Sequence, residues 1–278
     1  MAAWYNRSML EMDLLSDGLR DELRETAVSA ARMAGAILTE RARLGFRVEF
    51  KDSVNLVTDA DRQAEQAVVD TILSRYPEHR ILAEEGGQRR GGASPFQWII
   101  DPLDGTTNFA HGYPAYCVSI GVEYQGQGLL GVVLDPTRHE LFVGEAGRGA
   151  TLNGNRVRVS ETPTLNTALL VTGFAYDIRN TPHNNLNYFT RFALKAQGIR
   201  RTGTAALDLC YVACGRFDGF WELKLQPWDM AAGAVVLQEA GGRVSDFKGG
   251  DLSIYGHELV SSNGLIHEDM LYILQSNG

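Results

Sequence analysis

The chain has 278 residues, 44% of them hydrophobic, and a formal net charge of -8. That is enough apolar material for a large core and too much for a disordered chain. The acidic balance argues against a direct nucleic-acid binder with a broad basic face, and no run approaches the ~18 apolar residues of a membrane-spanning helix.

In chain order, the first 16 residues match no recognisable pattern and are read as an N-terminal extension without a secretory-signal profile. Three cysteines, an odd number, suit a reducing cytoplasm better than a disulfide framework, with Cys210 and Cys214 read as core thiols. From Asp17 to about Leu44, Leu19, Leu23, Ala27, Ala30, Ala34 and Leu38 recur at helical spacing. Thr58 and Asp59 can cap a second helix through Ala64, Val68 and Leu73, which Pro77 closes. Strands are predicted over Arg80–Ala83 and Phe96–Ile100, with Gly86–Ser94 between them a mobile loop. Residues Ala115 to Ala146 read as three antiparallel strands, and Asn153-Gly154 signals a hairpin.

The second half mixes strands at Ala168–Gly173, Gly219–Leu223 and Leu259–Ser261 with helices over His183–Gln197, Ala205–Cys214 and Met230–Ala240. No repeat or linker interrupts it, so residues 17–278 are expected to form one unit with lobes of about 17–155 and 156–278. Gly126 to Gly131 spells GxGxxG, but Val132-Val133-Leu134-Asp135-Pro136 continues as strand and turn. A dinucleotide site needs a helix there to meet the pyrophosphate, so the motif reads as a hairpin loop.

Acidic side chains stand at predicted strand ends and helix starts: Asp59 and Asp61, Glu84 and Glu85, Asp101 and Asp104, and Asp229. Singly each has a plain structural role available, Asp229 for instance as an N-cap. Together they suggest more. Asp101 follows the apolar run Trp98-Ile99-Ile100, Pro102 stiffens the turn, and Asp104 can swing back beside Asp101. Carboxylates that close repel unless cations neutralise them, and hard oxygen donors suit magnesium. Gly105-Thr106-Thr107 offers backbone N–H groups at a helix start, where a phosphate can sit.

The series Asp61, Glu84-Glu85, DPLDGTTN from Asp101 and WDMAAG from Trp228 resembles the inositol monophosphatase family, bacterial type, over about Glu22 to Leu274. That family belongs to a lithium-sensitive, magnesium-dependent phosphatase superfamily that also holds fructose-1,6-bisphosphatases. The resemblance implies a layered αβαβα sandwich of the sugar-phosphatase type, an α/β fold with its site between the lobes, and a homodimer. It implies two to three Mg2+ ions, with Mn2+ as the alternative. Glu84, Asp101 and the Leu103 carbonyl would hold one ion, and Asp101, Asp104 and Asp229 a second. A third would sit mostly in water near Glu84. Asp61, Thr106 and Glu84 would activate water for direct in-line attack, without a covalent phosphoenzyme, and Gly105 and Thr106 would hold the phosphate. Glu85 would be a supporting residue. Asp104, Gly203, Thr204, Ala205, Glu222 and Asp229 would line the substrate pocket, with Asp208 following and Lys224 and Gln226 flanking it.

The expected activity is hydrolysis of a small phosphorylated polyol or sugar, with myo-inositol 1-phosphate leading. A broad sugar phosphatase acting on fructose-1,6-bisphosphate or NADP is the alternative, and a bisphosphate would need a second basic pocket from Arg179, Lys195, Arg200 or Arg201. A third reading is a protein-binding role in ribosomal RNA transcription, which some bacterial relatives of the family have. His111 is read as structural.

Overall fold

In a computed structural model, described over residues 15–50, 56–89 and 93–276, the chain alternates helices with two sheets. The N-terminal extension up to residue 14 and residues 90–92 of the expected loop lie outside the described residues. Helix α1 (Asp17–Leu44) is followed by the strand pair β1 (Val48–Phe50) and β2 (Leu56–Thr58), then α2 (Asp59–Arg75). The first sheet comprises β3 (Arg80–Ala83), β4 (Gly87–Arg89), β5 (Phe96–Asp104), β6 (Cys117–Tyr124), β7 (Gln127–Asp135), β8 (Glu140–Glu145), β9 (Gly149–Leu152) and β10 (Asn155–Arg156). Its order is β10-β9-β8-β7-β6-β5-β3-β4, antiparallel throughout except for β3 beside β5. Short helix α3 (Thr106–Ala110) follows β5.

The second half supplies β11 (Leu169–Thr172), α4 (Leu186–Ala193), β12 (Gly198–Arg200), α5 (Ala205–Ala213), β13 (Gly219–Leu223), α6 (Pro227–Glu239), β14 (Arg243–Ser245), β15 (Glu258–Ser262) and α7 (His267–Gln275). Its sheet runs β12-β11-β13-β15-β14.

Period-two side-chain alternation explains the layering. On β5, Trp98 and Ile100 point into one core with Ala27 and Ala34 of α1 and Val68 of α2. Ile99 between them points the other way, into a core with Leu209 of α5 and Val235 of α6. The second sheet repeats the device. Val171, Phe220 and Leu259 face that same middle core. Their neighbours Leu170, Trp221 and Val260 pack on Phe192 of α4 and Met270 of α7. The result is helices, sheet, helices, sheet, helices, the αβαβα order expected. Among the described residues no helix is long and apolar enough to cross a membrane.

Several boundaries differ from the sequence reading. Gly87–Arg89, placed in a loop, pairs antiparallel with β3. The helix expected over His183–Gln197 is only Leu186–Ala193. Strand β5 runs past Ile100 through Pro102 to Asp104, because β3 pairing stops at Ile100 and the β6 register breaks between Asp101 and Asp104. No ladder donor is then asked of Pro102. The GxGxxG segment is a hairpin, as read: Gln125 (φ 51) and Gly126 (φ 77) form the two-residue turn between β6 and β7.

The C-terminal helix is anchored by a buried histidine. The Nε2 of His267 lies 2.9 Å from Ser245 Oγ, and its Nδ1 lies 3.0 Å from Ser262 Oγ. Burial, helped by nearby Arg243, pulls its pKa from 6.5 to about 4. The folded state thus binds this proton less tightly than the unfolded chain, so its contribution to stability is complete above pH 6.5 and is lost toward pH 4. Urea unfolding across that window should show a loss of about 1.4 kcal/mol per pH unit from this group. His267→Gln should remove that component, and an unchanged slope in the variant would contradict the assignment.

Candidate active site

The acidic residues converge where the two sheets' ends meet. Asp61 is the third residue of α2, and its Oδ2 accepts from the N–H (2.8 Å) and hydroxyl (2.5 Å) of the N-cap Thr58. Its Oδ1 accepts from Thr106 Oγ1 at 3.1 Å. Asp229 holds the equivalent place on α6, with Oδ2 accepting from the Gln226 N–H at 2.7 Å. Both aspartates therefore steady a helix start while remaining part of the site, and Asp229 is not itself the N-cap.

The irregular end of β5 sets the centre. Asp101, 2% exposed, accepts from the Leu103 N–H at 3.0 Å through Oδ1. The Leu103 carbonyl is 3.1 Å from Thr106 Oγ1. Asp104 reaches across to the second half of the chain, where its Oδ2 accepts from the Ala206 N–H of α5 at 2.8 Å. Asn108 stitches the same seam, donating from Nδ2 to the carbonyls of Ala115 (2.7 Å) and Thr202 (2.8 Å). Gly105 (φ 96) sits in this crush, where a Cβ would come within 3.0 Å of the Ala115 carbonyl.

One cavity of about 380 Å³ collects Glu84, Asp101, Leu103, Asp104, Gly105, Thr106 and Asp229. Gly203, Thr204, Ala205, Asp208 and Glu222 line it as well. Asp61 does not line it. Fully buried, it stands behind Thr106. Lys224 and Gln226 flank the cavity, and of the four basic residues considered for a second phosphate only Arg201 lines it. Sequence reasoning missed Gly173, Phe174 and Tyr176, brought in by the segment after β11. Gly173 leaves room there for the Glu222 carboxylate, which would have to shift from a Cβ placed 2.2 Å away. A larger groove of about 670 Å³ runs along α1 beside Pro136 and His139, but Glu40 is its one carboxylate among the described residues. Chemistry, not size, selects the smaller cavity.

Burial dominates the electrostatics, and crowding of like charge adds to it. Burial pushes Asp101 well up, and the charges of Glu84, Asp104 and Asp229 add to it. Burial raises Asp104 to about 7, the Ala206 N–H opposing and Glu84 reinforcing the rise. Asp229 is raised to about 7 by burial and by Asp104. Burial also raises Asp61, against the Thr58 hydrogen bonds that lower it. Glu222 goes well up through burial and the charges of Asp208, Asp229 and Asp104.

As they stand, no three His, Cys, Asp or Glu side chains among the described residues close round a single point as a ligand group. The donor chemistry nonetheless fits a hard divalent cation: carboxylate oxygens and a strand-end carbonyl on one wall, mutually repelling, with no imidazole among them. A cation among them would offset that repulsion with its own attraction to each carboxylate.

The model of the inositol monophosphatase family matches residues 19–277. The inositol-1-monophosphatase of Synechocystis sp. is 51% identical over 216 residues, 78% of this chain and 75% of the relative. The Nus factor SuhB of Pseudomonas aeruginosa is 46% identical over 256 residues, 90% of this chain and 94% of that protein. The solved inositol monophosphatase from Anabaena (Nostoc) sp. PCC 7120 superposes with a TM-score of 0.84 at 44% identity, covering 91% of this chain and 95% of its own. With the acidic cluster, the five layers and these likenesses in agreement, the chain belongs to the inositol monophosphatase family.

Proposed function

We propose that the protein is a magnesium-dependent phosphatase that hydrolyses a polyol or sugar monophosphate, with myo-inositol 1-phosphate the leading substrate. The observation that carries this reading is one cavity that gathers Glu84, Asp101, Asp104 and Asp229 with the Gly105-Thr106 helix start and also takes in Glu222. Glu84, Asp101, the Leu103 carbonyl, Asp104 and Asp229 would hold two to three Mg2+ ions, Mn2+ being the alternative. Bound there, the ions supply the positive charge that stabilises a dianionic ester and its departing alkoxide, and lower the pKa of water.

The chain's own groups do the positioning. Thr106, donating to Asp61 Oδ1 at 3.1 Å, turns a lone pair of its hydroxyl outward to accept from an attacking water. The proton passes by way of that hydroxyl to Asp61, whose raised pKa makes it a better base than an exposed aspartate. Glu84 assists at the same end. Gly105 and Thr106 N–H groups, which have no partner further back in α3, hold phosphate oxygens. Glu222 accepts from ring hydroxyls and discourages a second phosphate. Three free cysteines and the bacterial relatives support a cytoplasmic protein, and family habit a homodimer.

A substrate panel tests the specificity. Myo-inositol 1-phosphate should give the highest kcat/KM, ahead of fructose-1,6-bisphosphate and NADP. A preference for either of the latter would keep the metal chemistry and discard the polyol assignment. The likeness to a Nus factor over 90% of the chain supports a second role, in binding a transcription partner. That role predicts partner capture that survives Asp229→Asn.

A further inference from the structure

The segment after β11 lines the cavity with Gly173, Phe174, Ala175 and Tyr176, and its two ends are held differently. At the root, Asn185 is 3% exposed and donates from Nδ2 to Thr172 Oγ1 and the Gly173 carbonyl, both at 2.7 Å. Its Oδ1 accepts from Trp221 Nε1, also at 2.7 Å. The outer part makes two polar contacts to other elements, beside the packing of the Phe174 ring on Phe189 of α4 at 5.8 Å. The Tyr176 hydroxyl lies 3.2 Å from Thr107 Oγ1 on α3, beside Thr106. Asp177 Oδ2 takes the ammonium of Lys224 at 2.5 Å, from the corner between β13 and α6.

Lys224 is itself out of the ordinary. Its φ of 64 is a left-handed conformation that favours glycine, so this corner holds a lysine against local backbone preference. The side chains of the ion pair are 28% and 50% exposed, so salt can weaken it. Phe174, Ala175 and Tyr176 line the same cavity as Glu222, and the two polar contacts tether the Tyr176 end of this stretch. The enclosed volume of about 380 Å³ falls at the small end of ligand sites, which span roughly 300–1,000 Å³.

We propose that residues 174–178 are a strap over the alcohol end of the cavity, pinned by Lys224–Asp177 and Tyr176–Thr107, which selects compact alcohol groups over nucleotide-sized ones. The strap rests on the phosphatase reading above. It acts through position: Asp177 touches no substrate, and its contribution is to keep the wall closed.

Asp177→Asn and Tyr176→Phe are compared with wild type for kcat/KM on myo-inositol 1-phosphate and NADP, and for amide exchange over residues 174–178. Asp177→Asn should speed exchange there and raise the NADP-to-inositol ratio about fivefold, through a lower KM for NADP with kcat for inositol 1-phosphate unchanged. Tyr176→Phe should shift the ratio the same way. The reversed pair Asp177→Lys with Lys224→Asp should restore the wild-type ratio, which a merely structural role would not. High salt should raise the wild-type ratio and leave that of Asp177→Asn alone. Faster exchange with an unchanged ratio, while inositol 1-phosphate is still hydrolysed, overturns the strap and spares the phosphatase reading. Failure of the wild type to hydrolyse any ester overturns that reading and the selectivity with it.

Discussion

Asp101→Asn is expected to abolish most phosphatase activity, lowering kcat by roughly 10³ or more, while leaving the fold intact or stabilising it without metal. If Asp101 is among the proposed ion-holding carboxylates, removing its charge should cost several kcal/mol of cation-derived stabilisation, at about 1.4 kcal/mol per decade of rate. The stability effect has the opposite sign. Asp101 is 2% exposed and repelled by Glu84, Asp104 and Asp229, so neutralising it relieves strain in the free protein. A thermal melt in chelator should show a Tm at or above that of wild type. A lower Tm together with near-normal turnover would assign Asp101 a structural role and remove it from the metal site.

Gly131→Ala is expected to cost roughly 3 kcal/mol or more, although it adds a single methyl group. Gly121, Gly131 and Gly144 lie side by side across β6, β7 and β8 in register. Helix α6 lies directly on this row. A Cβ on Gly131 would come within 2.1 Å of the Ala232 carbonyl oxygen, and one on Gly144 within 2.5 Å of Val236 Cα. Neither obstacle is a side-chain tip that can swing away, so the helix itself must move, and Asp229 in its first turn moves with it. Gly126→Ala provides the contrast: its Cβ meets nothing within 4 Å, and only the left-handed φ is penalised, by roughly 1–2 kcal/mol. Urea unfolding compares the two. Equal losses would show that α6 does not depend on the glycine row.

These glycines also show where a sequence stops being readable. Gly126, Gly128 and Gly131 were legible as a hairpin from the residues that follow them, because turn geometry and strand pattern are local. That Gly131 serves the approach of a helix 100 residues later is not local, and nothing near it in the chain signals it. The same division runs through the site. Asp101 and Asp104 announced themselves by standing at the end of a buried apolar run, and Thr58 was read as a cap, although its pairing with Asp61 rather than Asp59 came from the structure. The extension of β5 through Pro102 depends on β3 pairing having already stopped, a property of the neighbouring strand. Tyr176 and Gly173 were missed because their value lies in reaching α3 and in making room for Glu222. The strands were clearest where they are buried on both faces, as in the Phe96–Ile100 run, whereas the layer order came from the family resemblance. The short edge strands β4 and β10, whose sequences carry no apolar alternation, were not read as strands.

The most direct test of the site is phosphate release from myo-inositol 1-phosphate by the chelator-treated protein as Mg2+ is added back, with lithium as a competitor. Turnover that is absent without the ion, rises saturably with it and falls with lithium is the result the acidic cluster requires. Equal turnover in chelator and in Mg2+ would contradict it, and would leave Glu84, Asp101, Asp104 and Asp229 as carboxylates that organise the fold.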